Sequence, residues 1–214
     1  MKYIYTIIIL IIALSVSGQR TENEIYSLVL NDLNSRWYED TLSKFVIIEK
    51  FKPDENYIKS YDEIELLNNH FYSGSEMNRY NKFNYGLNID TLIRKTAIQQ
   101  CLQNLQTNFY KSPKIKCRKL KVNSTTISSK KFDKFFIDIC KGWEKFHTQY
   151  PETTTVFALS RIEFMEDYAC FYLEIFADGL DGWGGIIISK KEYNAWKIIN
   201  YIPLWEGWNY CGQK

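Results

Sequence analysis

Residues 156–177, VFALSRIEFMEDYACFYLEIFA, predict a β-hairpin and thereby decide the fold of the C-terminal third of the chain. The two runs, 156–164 and 169–177, are rich in aliphatic and aromatic residues, which favour strands. The polar pair Glu166 and Asp167 separates the runs as a turn would. Two further strand-like runs follow the hairpin, so we predict a four-stranded antiparallel meander at this end of the chain.

The position of that turn also predicts the register of the hairpin. With the turn at its centre, Glu163 faces Cys170 and Leu159 faces Glu174. One face of the pair is then largely apolar, and a slip by one residue would mix the two faces, so this register is strongly preferred. The apolar face holds Ser160, Ile162, Phe164, Ala169, Phe171 and Leu173.

Apolar residues at helical spacing mark three segments before the meander. The first, 22–35, follows a capping box at 21–24. The second begins near Asp90 and stops before Pro113, because the residue preceding proline avoids the helical region. The third, from Phe132 to Tyr150, carries an aromatic stripe and is expected to pack on the apolar face of the meander.

Short β-rich runs at 45–48 and 119–122 predict two more strands. The segment 62–71 predicts a helix inside the otherwise polar and irregular stretch 52–88. N-terminal helices, followed by one amphipathic helix packed on a C-terminal antiparallel sheet, make the predicted class α+β. Residues 19–214 are expected to form a single globular domain, which is a usual size for one hydrophobic core.

Residues 1–18, MKYIYTIIILIIALSVSG, have the layout of a secretory signal peptide. Lys2 supplies the basic end, and the apolar core covers residues 4–14. A membrane-spanning helix needs about 20 apolar residues, and this run is shorter. Cleavage is therefore favoured over a stable membrane anchor, and the expected location is secreted or periplasmic.

The charge of the chain is balanced, and its cysteines suit an oxidising compartment. The formal net charge is +2, and loss of Lys2 with the leader leaves +2 − 1 = +1. This value does not indicate nucleic acid or an anionic membrane as a partner. The partner is left open at this point, with a glycan or a protein as the two options. The cysteines follow no zinc-binding spacing, and we expect buried thiols with one disulfide at most among Cys101, Cys117, Cys140, Cys170 and Cys211.

Residues 140–206 carry a set of motifs in sequence order. A Trp-x-x-Phe helix leads to Tyr-Pro, a Ser-Arg strand follows, and a glycine pair precedes a Trp-Lys-Ile strand that ends in Leu-Trp. This stretch resembles a family of uncharacterised exported bacterial proteins of the Bacteroidota type. Met165 and the aspartates within 178–185 depart from that pattern. The resemblance implies an exported setting and no particular activity. The matching residues are Trp143, Phe146, Tyr150, Pro151, Ser160, Arg161, Phe164, Ala169, Gly184, Gly185, Trp196, Lys197, Ile198, Leu204 and Trp205.

The second face of the predicted hairpin supplies the candidates for catalysis. Arg161, Glu163, Tyr172 and Glu174 lie near one another in the predicted register. Two neighbouring carboxylates can provide acid–base chemistry on a glycoside. Such groups more often form a solvated ion-pair patch that contributes little to stability. We favour the patch.

The stretch 176–185, FADGLDGWGG, is expected to be the loop between the second and third strands of the meander. Its glycines suit a long turn, because glycine adopts conformations that other residues avoid. The candidates for ligand binding are Asp178, Asp181 and Trp183. Calcium is the cation this loop would suit, yet it needs six to eight oxygens. We therefore assign no metal and no cofactor.

Two functions from different classes follow. The favoured one is a non-catalytic binding or structural module, because recognised catalytic motifs are missing from the sequence and its charge is balanced. The alternative is a glycan or cell-wall hydrolase that uses Glu163 and Glu174. A cystatin-like or nuclear-transport-factor-like cone that holds a small ligand is a third option, resting on fold-level analogy alone.

Overall fold

A computed structural model describes residues 21–35, 44–52, 96–108, 111–153, 155–177 and 181–208. These residues form a mixed sheet with helices on both faces, so the predicted α+β class is confirmed. The predicted helix at 62–71 and the predicted leader lie outside the described residues. None of the helices in the described ranges is long and apolar enough to cross a membrane.

The sheet has seven described strands in the spatial order β2-β1-β3-β5-β6-β7, and β4 pairs with β5 beside β3. Strand β1 is parallel to both β2 and β3, whereas all other pairings are antiparallel. The strands are β1 Phe45–Ile48, β2 Ser124–Ile127, β3 Thr155–Leu159, β4 Glu163–Met165, β5 Tyr168–Ala177, β6 Asp181–Glu192 and β7 Ala195–Trp208.

The predicted four-stranded antiparallel meander is wrong as a description of this sheet. The C-terminal strands pair antiparallel in sequence order, but they make up only one side of a larger, mixed sheet. The strand at 45–48 is confirmed. The strand predicted at 119–122 is wrong, because Cys117–Lys119 forms a 3-10 turn and the strand begins at Ser124.

A β-bulge at Ser160 interrupts the hairpin that begins this side of the sheet. The predicted pairing of Glu163 with Cys170 is confirmed, but Leu159 faces Leu173 rather than Glu174. Three residues separate Leu159 from Glu163, against two on the opposite strand, so one residue is extra. Ser160 satisfies the backbone there: its N–H donates to the carbonyl of Tyr172 at 2.9 Å, and its Oγ accepts from the Tyr172 N–H at 2.8 Å.

Helices and ordered segments cover both faces of the sheet. Helix α1, residues 21–35, packs on one face together with Ile115 and Leu120. Three helices, α2 Thr96–Asn108, α3 Ser129–Phe135 and α4 Ile139–Gln149, pack on the other. The core therefore has two layers, one on each side of a sheet that is buried on both faces.

This arrangement corrects the predicted placement of the aromatic helix. The face predicted to receive it, with Phe171 and Leu173, is covered by α1 instead. The face predicted to carry the polar patch contains Cys170 and Tyr172, and it packs against the aromatic residues of α3 and α4. The bulge accounts for part of the error, because it moves Leu159 to the opposite face from the predicted one.

The first two predicted helices are present, but the third is divided. Helix α1 matches the predicted range, and α2 buries Ala97, Cys101 and Leu105 as their spacing predicted. The segment predicted as one helix from Phe132 to Tyr150 breaks between α3 and α4. The ring of Phe136 turns back into the space that a Cβ at Gly142 would need, and it lies 5.2 Å from the ring of Trp143.

Candidate functional site

The structure brings the four candidate catalytic residues together as two separate pairs. Arg161 Nε lies 3.3 Å from Glu163 Oε1, and the hydroxyl of Tyr172 donates to Glu174 Oε1 at 3.1 Å. Glu163 faces Cys170, four residues before Glu174 on β5. At about 3.3 Å per residue this places the two glutamate backbones about 13 Å apart along the strand. The two carboxylates do not share one site in the way a glycosidase pair would.

The first pair lies at the bulge, where segments from distant parts of the chain meet. The backbone N–H of Arg161 donates to Ser112 Oγ at 3.3 Å. On the opposite side, the hydroxyl of Tyr26 donates to the carbonyl of Ser160 at 2.7 Å. The side chain of Asn108, at the end of α2, hydrogen-bonds Glu163. We call Glu22, Asn108, Arg161 and Glu163 the bulge cluster.

Burial sets the electrostatics of the bulge cluster. Desolvation raises the pKa of Glu163, although Arg161, Asn108 and Lys111 each oppose the shift. Desolvation also raises the pKa of Glu22, where Arg161 lowers it and the neighbouring charge of Glu163 raises it further. Because burial outweighs the stabilising partners at both positions, the two carboxyl groups hold protons more tightly than exposed glutamates do.

The contact between Arg161 and Glu163 is an ion pair rather than a hydrogen bond. Glu163 Oε1 is buried and accepts no hydrogen bond from any described residue, although Arg161 Nε lies 3.3 Å away. The Arg161 side chain is 47% exposed, against 10% for Glu163. The buried carboxylate is therefore held by a cation that also reaches solvent and by the side chain of Asn108.

The second pair belongs to a hydrogen-bonded chain beside the core. The indole N–H of Trp205 donates to the hydroxyl of Tyr172 at 2.5 Å, and that hydroxyl donates to Glu174. The ring of Phe51 packs edge-on against Tyr172 at 5.4 Å between centroids. We call Trp205, Tyr172 and Glu174 the aromatic chain. Its polar atoms satisfy one another across β5 and β7.

The predicted ligand-binding loop is largely a strand. Strand β6 begins at Asp181, and Trp183 pairs with Ile175 on β5. The ring of Trp183 packs edge-on against Tyr201 at 5.2 Å, so this tryptophan covers the core instead of standing at a loop tip. Asp178 and the side chain of Asp181 lie outside the described residues, and their predicted role in ligand binding stays a prediction.

The glycines of β6 serve packing rather than turning. A Cβ at Gly184 would collide with the indole of Trp205 and would lie 2.5 Å from the hydroxyl of Tyr172. A Cβ at Gly185 would lie 2.6 Å from the ring of Tyr201 on the other face. These glycines let aromatic side chains lie directly on the backbone of a strand. The predicted explanation, freedom at a long turn, is wrong at both positions.

Three cysteines have free thiols, and a fourth does not. Cys101 and Cys170 are buried and hydrogen-bonded to each other, and Cys117 is half-buried. Burial raises the pKa of the Cys170 thiol well above its usual value and also raises the pKa of Cys117. Cys140 is exposed and disulfide-bonded, so it is not one of the buried thiols that the sequence predicts.

Among the described residues, few other side chains could bind a metal ion or take part in catalysis. No group of three or more His, Cys, Asp or Glu side chains within the described ranges is placed to hold a metal ion. His147 lies in the last turn of α4 and stacks on Trp143 with the ring centroids 5.7 Å apart. His70 falls outside the described residues.

Comparison with family models, curated proteins and solved structures finds no significant match to this chain.

Sequence reasoning missed Glu22 as a neighbour of Arg161 and Asn108 as a hydrogen-bond partner of Glu163. They lie in helices far from the hairpin in sequence, so no local spacing connects them to it. The only sequence signal at the bulge was Ser160, a small polar residue in the middle of an apolar run. A buried serine in a strand is a usual partner for the unpaired backbone of a bulge.

Proposed function

We propose that the chain is an exported, non-catalytic binding or structural module. One observation carries this proposal: the four residues predicted as candidates for catalysis make internal contacts with one another in two separate pairs. Arg161 neutralises the buried Glu163, and Glu174 completes the aromatic chain with Tyr172 and Trp205. Groups committed to internal contacts on two separate parts of a sheet do not form one reaction centre.

The exported setting is part of the proposal and has two supports. Residues 1–18 have the layout of a cleavable leader. Cys140 is disulfide-bonded, a state that persists in oxidising compartments and is rare where thiols are kept reduced. N-terminal sequencing of the protein released by its native host tests this point. A mature chain that begins near residue 19 supports export, and an intact Met1 recovered from the cytoplasm contradicts it.

The raised pKa values of Glu22 and Glu163 favour a second candidate, a glycan hydrolase. A general acid requires a carboxyl group whose pKa is raised, and burial raises the pKa of both groups. The two groups interact with each other and with Arg161, so they are a better carboxylate pair than the predicted Glu163 and Glu174. The buried position of Glu163 argues against it, because a substrate must reach the acid.

A turnover assay separates the two candidates. The protein is incubated with peptidoglycan and a panel of neutral and acidic polysaccharides, and new reducing ends are counted. The proposal predicts no turnover above that of heat-denatured protein. Turnover that is lost in Glu163→Gln or Glu22→Gln, with the circular dichroism spectrum unchanged, would establish the hydrolase. Glu24→Gln serves as the matched control, because Glu24 is exposed on the same helix turn as Glu22.

A further inference from the structure

The segment 111–121, KSPKIKCRKLK, concentrates positive charge in one short stretch of the chain. It holds six cations and no acidic residue, although the formal net charge of the whole chain is only +2. All six side chains are exposed. We call them the basic strip: Lys111, Lys114, Lys116, Arg118, Lys119 and Lys121.

The backbone of the basic strip is held in place by the core on one side. Ile115 and Leu120 are buried against the face of the sheet that α1 covers. The N–H of Ile115 donates to the carbonyl of Glu49 at 2.6 Å, and the N–H of Lys121 donates to Ser27 Oγ at 2.9 Å. Apolar residues pointing inward therefore alternate with cations pointing outward, and the charges are presented from a fixed backbone.

Part of the charge of the basic strip is engaged in contacts with the rest of the fold. Lys114 forms an ion pair with Glu49 at 2.9 Å, and Lys111 donates to the side-chain oxygen of Asn108 at 3.0 Å. Lys116, Arg118 and Lys121 place exposed charges between and beyond them. A bound polyanion would neutralise these exposed charges while releasing its own counterions.

We infer that the basic strip binds an acidic polysaccharide of the cell envelope. The inference rests on the proposed binding function and names the ligand class for it. The segment contains no aromatic side chain on which the bases of a single-stranded nucleic acid could stack. Its two apolar anchors, Ile115 and Leu120, are buried and offer nothing for insertion into a lipid bilayer. A flexible chain of carboxylated sugars requires only a row of exposed cations.

The test compares two triple variants that carry the same change in net charge. The strip variant is Lys116→Gln, Arg118→Gln and Lys121→Gln. The control variant is Lys130→Gln, Lys134→Gln and Lys141→Gln, whose lysines are exposed on α3 and α4 over the opposite face of the sheet. The probe is fluorescently labelled polyglucuronate, and its affinity is measured by fluorescence anisotropy at several NaCl concentrations.

The expected result is binding by the wild-type protein that weakens as salt rises. An exposed charge contact contributes about twofold to fivefold in affinity, so loss of three should weaken binding about tenfold or more in the strip variant. The control variant should stay within about twofold of wild type. Equal losses in the two variants would overturn the inference, because they would show a response to net charge alone. Absence of wild-type binding at low salt would also overturn it.

Two further probes decide between ligand classes. Duplex DNA and vesicles containing anionic lipid are measured in the same buffers with the same variants. Tighter binding of either probe than of polyglucuronate, lost in the strip variant alone, would assign the strip to that class and reject the polysaccharide. Absence of polyglucuronate binding at the basic strip does not change the result of the turnover assay. A wrong ligand class and a wrong functional class therefore give different results.

Discussion

Replacement of Gly184 by alanine tests whether the glycines of β6 are required by packing. The added Cβ would lie 2.5 Å from the hydroxyl of Tyr172 and would collide with the indole of Trp205. Both rings would have to move, and the hydrogen bond between them, 2.5 Å long, would be lost. The variant therefore perturbs the aromatic chain without removing any of its atoms.

The magnitude follows from three opposing contributions. Overpacking by one methyl group costs about 1–3 kcal/mol, and the lost hydrogen bond costs about 1 kcal/mol. Alanine also restricts the unfolded chain, which returns about 0.4–1 kcal/mol. The net loss in free energy of unfolding is about 2 kcal/mol, which for a protein of this size lowers Tm by about 4–8 °C.

The assay is urea denaturation followed by tryptophan fluorescence, with calorimetry for Tm. Gly182→Ala is the matched control, because its Cβ would lie 3.3 Å from the Trp205 ring and needs only a small shift. We expect it to stay within about 0.5 kcal/mol of wild type once the entropic gain is included. Equal stability of Gly184→Ala and Gly182→Ala would refute the explanation that Gly184 is required by packing against Trp205 and Tyr172.

Three other predictions concern the bulge and the thiols. Ser160→Ala leaves the buried N–H of Tyr172 without its acceptor and should lower the free energy of unfolding, measured by urea denaturation, by about 1–3 kcal/mol. Ser189→Ala should be nearly neutral, because the buried Ser189 hydroxyl has no hydrogen-bond partner among the described residues. Equal effects of the two substitutions would contradict the role of Ser160 at the bulge. The pKa values of Glu22 and Glu163 are raised above 4.5 in the folded protein. The protonated forms of the two groups therefore contribute stability below that pH, and this contribution is lost as the pH rises through their pKa values in the folded protein. Relative to wild type, Glu22→Gln with Glu163→Gln should therefore gain stability between about pH 4.5 and neutrality, and a parallel pair of pH profiles would show that the shifts are absent. Iodoacetamide should modify Cys117 before Cys101 and Cys170 in the native protein, since the latter two are fully buried; peptide mass spectrometry that finds Cys170 modified as fast as Cys117 would show that this part of the core opens readily.

The features that the sequence predicted correctly are those set by residues close together in the chain. The turn at Glu166 and Asp167 placed Glu163 opposite Cys170 correctly, because pairing next to a tight turn follows from the turn itself. The helix at 21–35 and the strand at 45–48 were likewise readable from the spacing of their apolar residues. Each of these features depends on residues that are close together in the chain.

The failures depend on contacts between distant residues. The bulge arises because the Ser160 hydroxyl bonds the backbone of Tyr172, and nothing in the run of apolar residues around it announces an extra residue. The glycines of β6 were mistaken for a turn because the rings that need the space come from Tyr172 and Trp205. Pairing of β1 with β3 joins segments more than 100 positions apart, so the size of the sheet was not visible either.

The candidate site was predictable only in part for the same reason. Arg161 and Glu163 are two residues apart, and a solvated ion-pair patch was expected there. The ion pair forms, but Glu163 is buried, so the expected solvation is wrong at that residue. Glu22 and Asn108 reach that pair through the packing of α1 and α2, which the sequence does not specify. The cations of the basic strip lie close together in the sequence, but the net charge of the whole chain is balanced and does not report a local cluster. A local count of charges along the chain would have found it.

Binding of an acidic polysaccharide without cleavage is tested most directly by following one polymer for both events. Labelled polyglucuronate is incubated with the protein at low salt and examined by sedimentation velocity, first at once and then after a day. High salt is added to a final sample to release the polymer. We expect the label to sediment with the protein at low salt and the released polymer to keep its original size. A released polymer that has become shorter would contradict the proposed non-catalytic function, and a label that never sediments with the protein would contradict the assignment of the basic strip.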